Sequence, residues 1–139
     1  MRRREWLLLP TASLLWGDER QQLTDWLGEL AARLSEDDPE EFLDAFDKQL
    51  RGRIDSNVRG MLQGWEAAST VDILSISGEG DRRTLELDWF LRLTPRSLVG
   101  AAHERRTPLT MVLRRAGKGW RAVALTPIDF FSPPKPSAQ

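Results

Sequence analysis

Glu86, Asp88 and Arg92 stand at alternate positions of one run and are the polar side chains of this sequence best placed to act together. A carboxylate sharing a strand face with Phe90, and with Val112, Arg114 and Trp120 on neighbouring strands, is a candidate general base if that face is enclosed. Desolvation would raise the Asp88 pKa toward a useful range. Asp88 and Arg92, four residues apart, lie on one face but about 13 Å from each other, so they are not a contact pair. His103 is the one histidine and the chain has no cysteine, which excludes thiolate nucleophiles, disulfides and cysteine metal sites. Asp88 and His103 are therefore the catalytic candidates. Glu86, Asp88, Phe90, Arg92, Arg114 and Trp120 are the ligand-binding candidates. No spacing calls for a metal or a cofactor, and none is expected.

The competing reading of the same residues is an outer sheet face. There Glu86 and Asp88 pair across strands with arginines, and Phe90 and Trp120 suit a homodimer interface. The two readings differ in whether Asp88 is buried in an apolar cavity beside a second polar group or faces water.

These side chains depend on the strands that carry them. Leu85, Leu87, Trp89, Leu91 and Leu93 alternate with polar residues, the mark of a strand with one buried face. Val71 to Ser77 precedes it across the turn cluster Gly78-Glu79-Gly80-Asp81, which predicts a hairpin. A third strand is expected from Glu104 to Arg115, and Ala116-Gly117-Lys118-Gly119 turns it into a last strand from Trp120 to Thr126. Strict alternation puts Val123 and Leu125 with the apolar stripe and Trp120 with Asp88.

Ahead of the strands, Leu23, Trp26, Leu27, Leu30, Ala31 and Leu34 repeat at helical spacing and predict a helix over 18–35. Asp38, Pro39 and Glu41 read as the cap and first turn of a second helix burying Phe42, Leu43, Phe46 and Leu50. Gly52 is expected to end or bend it. Ile54, Val58, Met61, Leu62 and Trp65 continue as a third segment to about Ala68, weakened by Gly60 and Gly64 unless close packing requires them.

At 139 residues the chain has the length of one domain. No apolar run reaches the roughly 20 residues of a spanning helix. Residues 1–70 carry net charge −5 and residues 71–139 net +4. Nucleic-acid binding is not expected from the pairs Arg82-Arg83, Arg105-Arg106 and Arg114-Arg115, because neighbours on a strand point to opposite faces.

Residues 1–17 begin with Arg2-Arg3-Arg4 and run through an apolar stretch to Trp16. Arg3-Arg4-Glu5-Trp6-Leu7 resembles the twin-arginine export signature. Pro10 interrupts the stretch, and the best cleavage candidate, Thr11-Ala12-Ser13, leaves a short apolar core. Two readings stand: an export signal placing the protein in the periplasm or otherwise outside the cytoplasm, or a cytoplasmic N-terminal arm whose Trp6 and leucines pack on the domain.

The order of helices then hairpins, with Gly80-Asp81-Arg82 before the long strand bearing Glu86-Leu87-Asp88-Trp89, and with Gly119-Trp120-Arg121 opening the last one, resembles the nuclear transport factor 2-like (NTF2-like) superfamily. The resemblance covers 18–133, with 134–139 a proline-rich tail. It implies an α+β, cone-shaped, cystatin-like roll, its N-terminal helices packed on a strongly curved antiparallel sheet of at least four strands. It also implies a cone able to hold a small apolar ligand. Members include isomerases, cyclases and dehydratases that use a carboxylate, and binding modules without chemistry. The expectation is a noncatalytic module that binds a small ligand or a protein. The alternative is an isomerase, cyclase or dehydratase with Asp88 as base, assisted by His103 or an arginine.

Overall fold

The computed structural model describes residues 2–135, with side chains described from Gly17 onward. The first helix, α1, runs Arg2–Ser35. Its predicted stripe is buried at Leu23, Leu27, Leu30, Ala31 and Leu34, with Trp26 packed at the margin. The side chains of the segment read as an export signal or arm lie outside the described ones up to Trp16.

Helix α2, Pro39–Leu43, is a single turn started as expected by Asp38, whose carboxylate accepts from the Glu41 N–H at 3.1 Å. It stops well before Gly52. Ala45 and Asp47 instead form backbone hydrogen bonds with Ala122 of the last strand (2.9 and 2.8 Å), and Asp47 caps a new helix by accepting from the Leu50 N–H at 2.9 Å. That helix, α3, spans Lys48–Gly64 and passes through Gly52 unbroken. The expected break at Gly52 and the helix end near Ala68 are both corrected. The break is set by pairing to a strand some 75 residues downstream in sequence, which no local spacing reports.

The chain turns directly from α3 into β1, Trp65–Ser77, followed by β2, Arg82–Pro95. Their hairpin requires Gly78: its φ is +115°, and a Cβ there would sit 2.6 Å from the Arg82 carbonyl oxygen. The expected third strand is split into β3, His103–Arg105, and β4, Pro108–Ala116, both antiparallel to β2. Pro108, opposite Asp88, has no N–H to give the ladder. The last strand, β5, is Gly119–Thr126, and the sheet order is β1-β2-β4-β5 with β3 also on β2. The result is an α+β layout of helices followed by an open five-stranded antiparallel sheet.

One irregularity decides which way β5 faces. Val112 pairs with Ala124 but Leu113 pairs with Ala122, so Val123 is an extra residue. A one-residue slip exchanges faces. Trp120 and Ala122 therefore join Leu125 on the buried side, and Trp120 is 6% exposed. The expectation that Trp120 shares a face with Asp88 is corrected.

Helices cover only the inner sheet face, where Leu85, Leu87, Trp89, Leu91, Leu93, Leu109, Met111 and Leu113 are completely buried. After β5 the chain folds back and inserts Phe130 and Phe131. The Phe131 ring meets Trp89 edge-on at 4.9 Å and Phe42 at 5.1 Å between centroids. Arg105 holds the returning segment by donating to the carbonyl oxygens of Phe130 and of Ser132, the latter at 3.1 Å. Among the described residues no polar or charged residue is buried in this interior, and no helix is long and apolar enough to cross a membrane.

Candidate functional site

Strand alternation puts Glu86, Asp88, Phe90 and Arg92 on the outer face of β2, away from the helices. Asp88 takes both Nε (2.9 Å) and Nη2 (2.6 Å) of Arg106, the residue at the break between β3 and β4. That hydrogen-bonded guanidinium holds the Asp88 carboxyl below the usual aspartate value, against the opposing effect of desolvation. The same guanidinium lies 6.0 Å from the centroid of the half-buried Phe90 ring. Glu86 accepts from Thr110 Oγ1 at 2.9 Å in a half-buried contact, and Arg92 pairs with Glu104 at 2.7 Å in an exposed one. Arg114 is on this face too, opposite Arg82 and Arg121.

Trp120 is on the other side of the sheet. Its ring lies under Arg115, 4.3 Å away, with Arg83 at 5.7 Å, and Glu19 of α1 binds both arginines (3.0 Å to Arg83, 3.6 Å to Arg115). His103 is likewise on the inner side, opposite Leu93. The sheet thus separates Asp88 from His103, and the pair cannot serve one substrate atom in this arrangement. Asp88 is not the desolvated carboxyl that a general base near neutral pH requires.

The open space is at the rim rather than in the interior. A cleft of about 850 Å³ lies between the end of α3, the start of β1, the loop after β2, His103, and the returning Pro134-Lys135. Trp65 and His103 supply its ring surfaces, Arg96 and Lys135 its cations, and among the described residues no carboxylate lines it. Arg96 is already committed, donating to the Leu62 carbonyl oxygen at 2.9 Å and pairing with Asp37 at 3.0 Å. Across Pro133 a smaller cleft of about 320 Å³ shares His103 and Lys135 and adds Arg105 and Asp129. Burial draws Arg105 below the ordinary arginine value, and Asp129 partly offsets this. No group of three or more metal-ligating side chains occurs among the described residues.

Sequence reasoning found His103 and missed the rest of the cleft. Trp65, Arg96 and Lys135 come from three distant segments, and Trp65 read as the buried side of a helix. The only local signal was the Thr94-Pro95 strand ending, which places a loop there.

Solved structures decide the fold. An NTF2-like protein with a cystatin-like fold from Novosphingobium aromaticivorans superposes with TM-score 0.60 at 16% identity, covering 83% of this chain and 84% of its own. The fold is NTF2-like. An NTF2-like superfamily protein from Salmonella enterica serovar Typhimurium matches with TM-score 0.56 at 15% identity, over 85% of this chain and 93% of its own. A protein of unknown function from Mycobacterium tuberculosis matches the NTF2-like fold of this chain with TM-score 0.64 at 12% identity, over 84% and 73%. No protein-family model matches the chain, and no curated protein matches its sequence. At these identities the likeness is one of fold, which hosts unrelated functions.

Proposed function

We propose that this chain is a noncatalytic binding module of NTF2-like fold whose ligand site is the rim cleft beside His103. The observation that carries this reading is the packed interior: Trp89, Phe130 and Phe131 fill it and no polar residue is buried there among the described residues. An acid–base site needs a desolvated polar group facing a substrate. The carboxylate proposed for that work sits on the outer face against Arg106.

The cleft has the composition of a site for a small organic anion with an apolar body. Trp65 and His103 offer ring faces, Lys135 offers an ammonium group, and the described lining residues include no carboxylate to repel the ligand. Titration of the purified protein with benzoate, followed by amide and indole NMR, tests it. Shifts are expected at the Trp65 indole N–H, at His103 and at Lys135, and should be lost in His103→Ala and Lys135→Ala. Absence of shifts, or shifts confined to Trp89 and Phe131, would move the ligand out of the cleft.

A protein partner at the same rim is the second reading. It is favoured by Leu98 and Val99, which the lip loop leaves 89% and 77% exposed. Native mass spectrometry separates the two, reporting a copurified small molecule or a bound chain. The proposal also places the protein outside the cytoplasm, on the strength of Arg3-Arg4-Glu5-Trp6-Leu7.

A further inference from the structure

Strand β1 pairs with β2 alone and stands at one edge of the sheet. In an antiparallel strand the N–H and C=O of a residue point to the same side, and the side alternates along the chain. The Gly64 carbonyl oxygen accepts from the Arg96 N–H at 3.0 Å, so even-numbered residues here bond toward β2. Trp65 agrees: its N–H turns back to the Met61 carbonyl oxygen, and its partner Pro95 has no N–H to give. The register runs unbroken from Trp65 to Ile73 and carries this phase along the strand. Ala68, Thr70 and Asp72 therefore bond β2, whereas Ala67, Ser69, Val71 and Ile73 aim both backbone groups at the open edge. Arg20 of α1 fits the same phase, donating to the Ile73 carbonyl oxygen at 3.0 Å.

Both ends of this stretch are closed, by the Trp65 bond to Met61 and by Arg20 on Ile73. Past Ile73 the register shifts and leaves Leu74 surplus, 63% exposed, a bulge that bends the edge away. Between the two ends, the N–H and C=O groups of Ala67, Ser69 and Val71 have no hydrogen-bond partner among the described residues. At the other side of the sheet the chain covers its own edge, where Ala45 and Asp47 bond Ala122 of β5. Sheet edges are commonly blunted with lysine or proline, and β1 has neither. Its outward side chains are Glu66, Ala68, Thr70 and Asp72, all exposed, acidic at both ends and small between. On the inner side Val71 and Ile73 lie half-buried at the margin of the core.

We infer that the edge from Ala67 to Val71 accepts an added strand from a basic partner, an extended peptide segment in which cationic residues flank an apolar alternation. In strand addition the main-chain hydrogen bonds supply affinity and alternate side chains supply specificity. Two lysines about 20 Å apart along such a segment meet Glu66 and Asp72. The side chains of the opposite phase continue the apolar margin at Val71 and Ile73. A second copy of this chain fits the edge less well. Symmetric pairing centred on Ser69 sets Glu66 of one copy opposite Asp72 of the other, and like charges directly opposite are destabilising.

Amide NMR of the full chain tests this, with a seven-residue peptide that has lysine at each end and valine alternating with threonine between. Slowed hydrogen exchange is expected at Ala67, Ser69 and Val71 on adding the peptide, while Ala68 and Thr70, bonded to β2, are protected beforehand. N-methylation of the valines, whose amides face β1 in this pairing, should abolish binding. Asp72→Lys should weaken binding about fivefold, with melting temperature little changed. A peptide that leaves the three amides unprotected, or equal binding of a peptide with glutamate at each end, overturns the inference. So does protection that grows with protein concentration in the absence of peptide, which would assign the edge to a second copy. Shifts confined to Leu98 and Val99 would overturn it too, moving the partner to the rim.

Discussion

At the residue scale, Asp88 shows how a neighbour reverses the sign of a pKa argument. Burial among Phe90, Val112 and Trp120 would have raised it, but the bidentate Arg106 contact lowers it, and Trp120 is not on that face. A carboxylate whose folded pKa lies below its unfolded value adds stability above the unfolded value. That contribution fades as pH falls through the lower, folded value. Carboxyl-carbon NMR titration should therefore show Asp88 titrating below the ordinary value near 3.8, and Arg106→Ala should return it upward. An unchanged midpoint in the variant would mean that Arg106 is not the cause. Trp120 makes the opposite case, a residue more buried than its pattern implied. Removing its ring from beneath Arg115 and Arg83 should destabilise the domain by about 3–5 kcal/mol, read as a lower urea midpoint for Trp120→Ala. An unchanged midpoint would place the ring at the periphery.

At the scale of elements, α3 and β5 were both misread where a distant partner overrode local pattern. Gly52 looked like a helix end, since glycine is a poor helix former. It is an interior residue of α3, and a methyl group added there would meet no neighbour within 4 Å. Gly52→Ala should then stabilise the protein by about 0.5–1 kcal/mol in thermal or urea unfolding, through lower chain entropy in the unfolded state. A loss of stability would show a constraint that the helix geometry does not contain. Gly60 differs, because its added Cβ would touch Pro133 at 3.4 Å, the close packing that its place in a helix suggested. The Val123 bulge had no local signal at all. Valine is a good strand residue, and only the mismatch between the β4 and β5 registers shows that one position is surplus.

At the scale of the whole molecule, the returning C-terminal segment decides more than any strand. Phe130 and Phe131 close the space between helices and sheet that the fold could have left as a pocket, and Arg105 fastens them there. Export from the cytoplasm is a proposal that rests on the resemblance of residues 1–17 to a twin-arginine signal, the alternative being a cytoplasmic N-terminal arm. Fusing them to a reporter should carry it out of the cytoplasm, and replacing Arg3 and Arg4 by Lys should stop it if the twin-arginine reading holds. A reporter retained in the cytoplasm would end the proposal of export. The sequence by itself determined what depends on short-range periodicity: the stripe of α1, the Asp38 cap, the buried leucines of β2, the two glycine hairpins and, from their order, the NTF2-like layout. Helical spacing, capping geometry and strand alternation are local rules. The tertiary structure alone decided which face Trp120 occupies, which arginine meets Asp88 and where a cleft is left open. Each of these depends on the register between distant segments, and a shift of one residue there moves a side chain from the core to water.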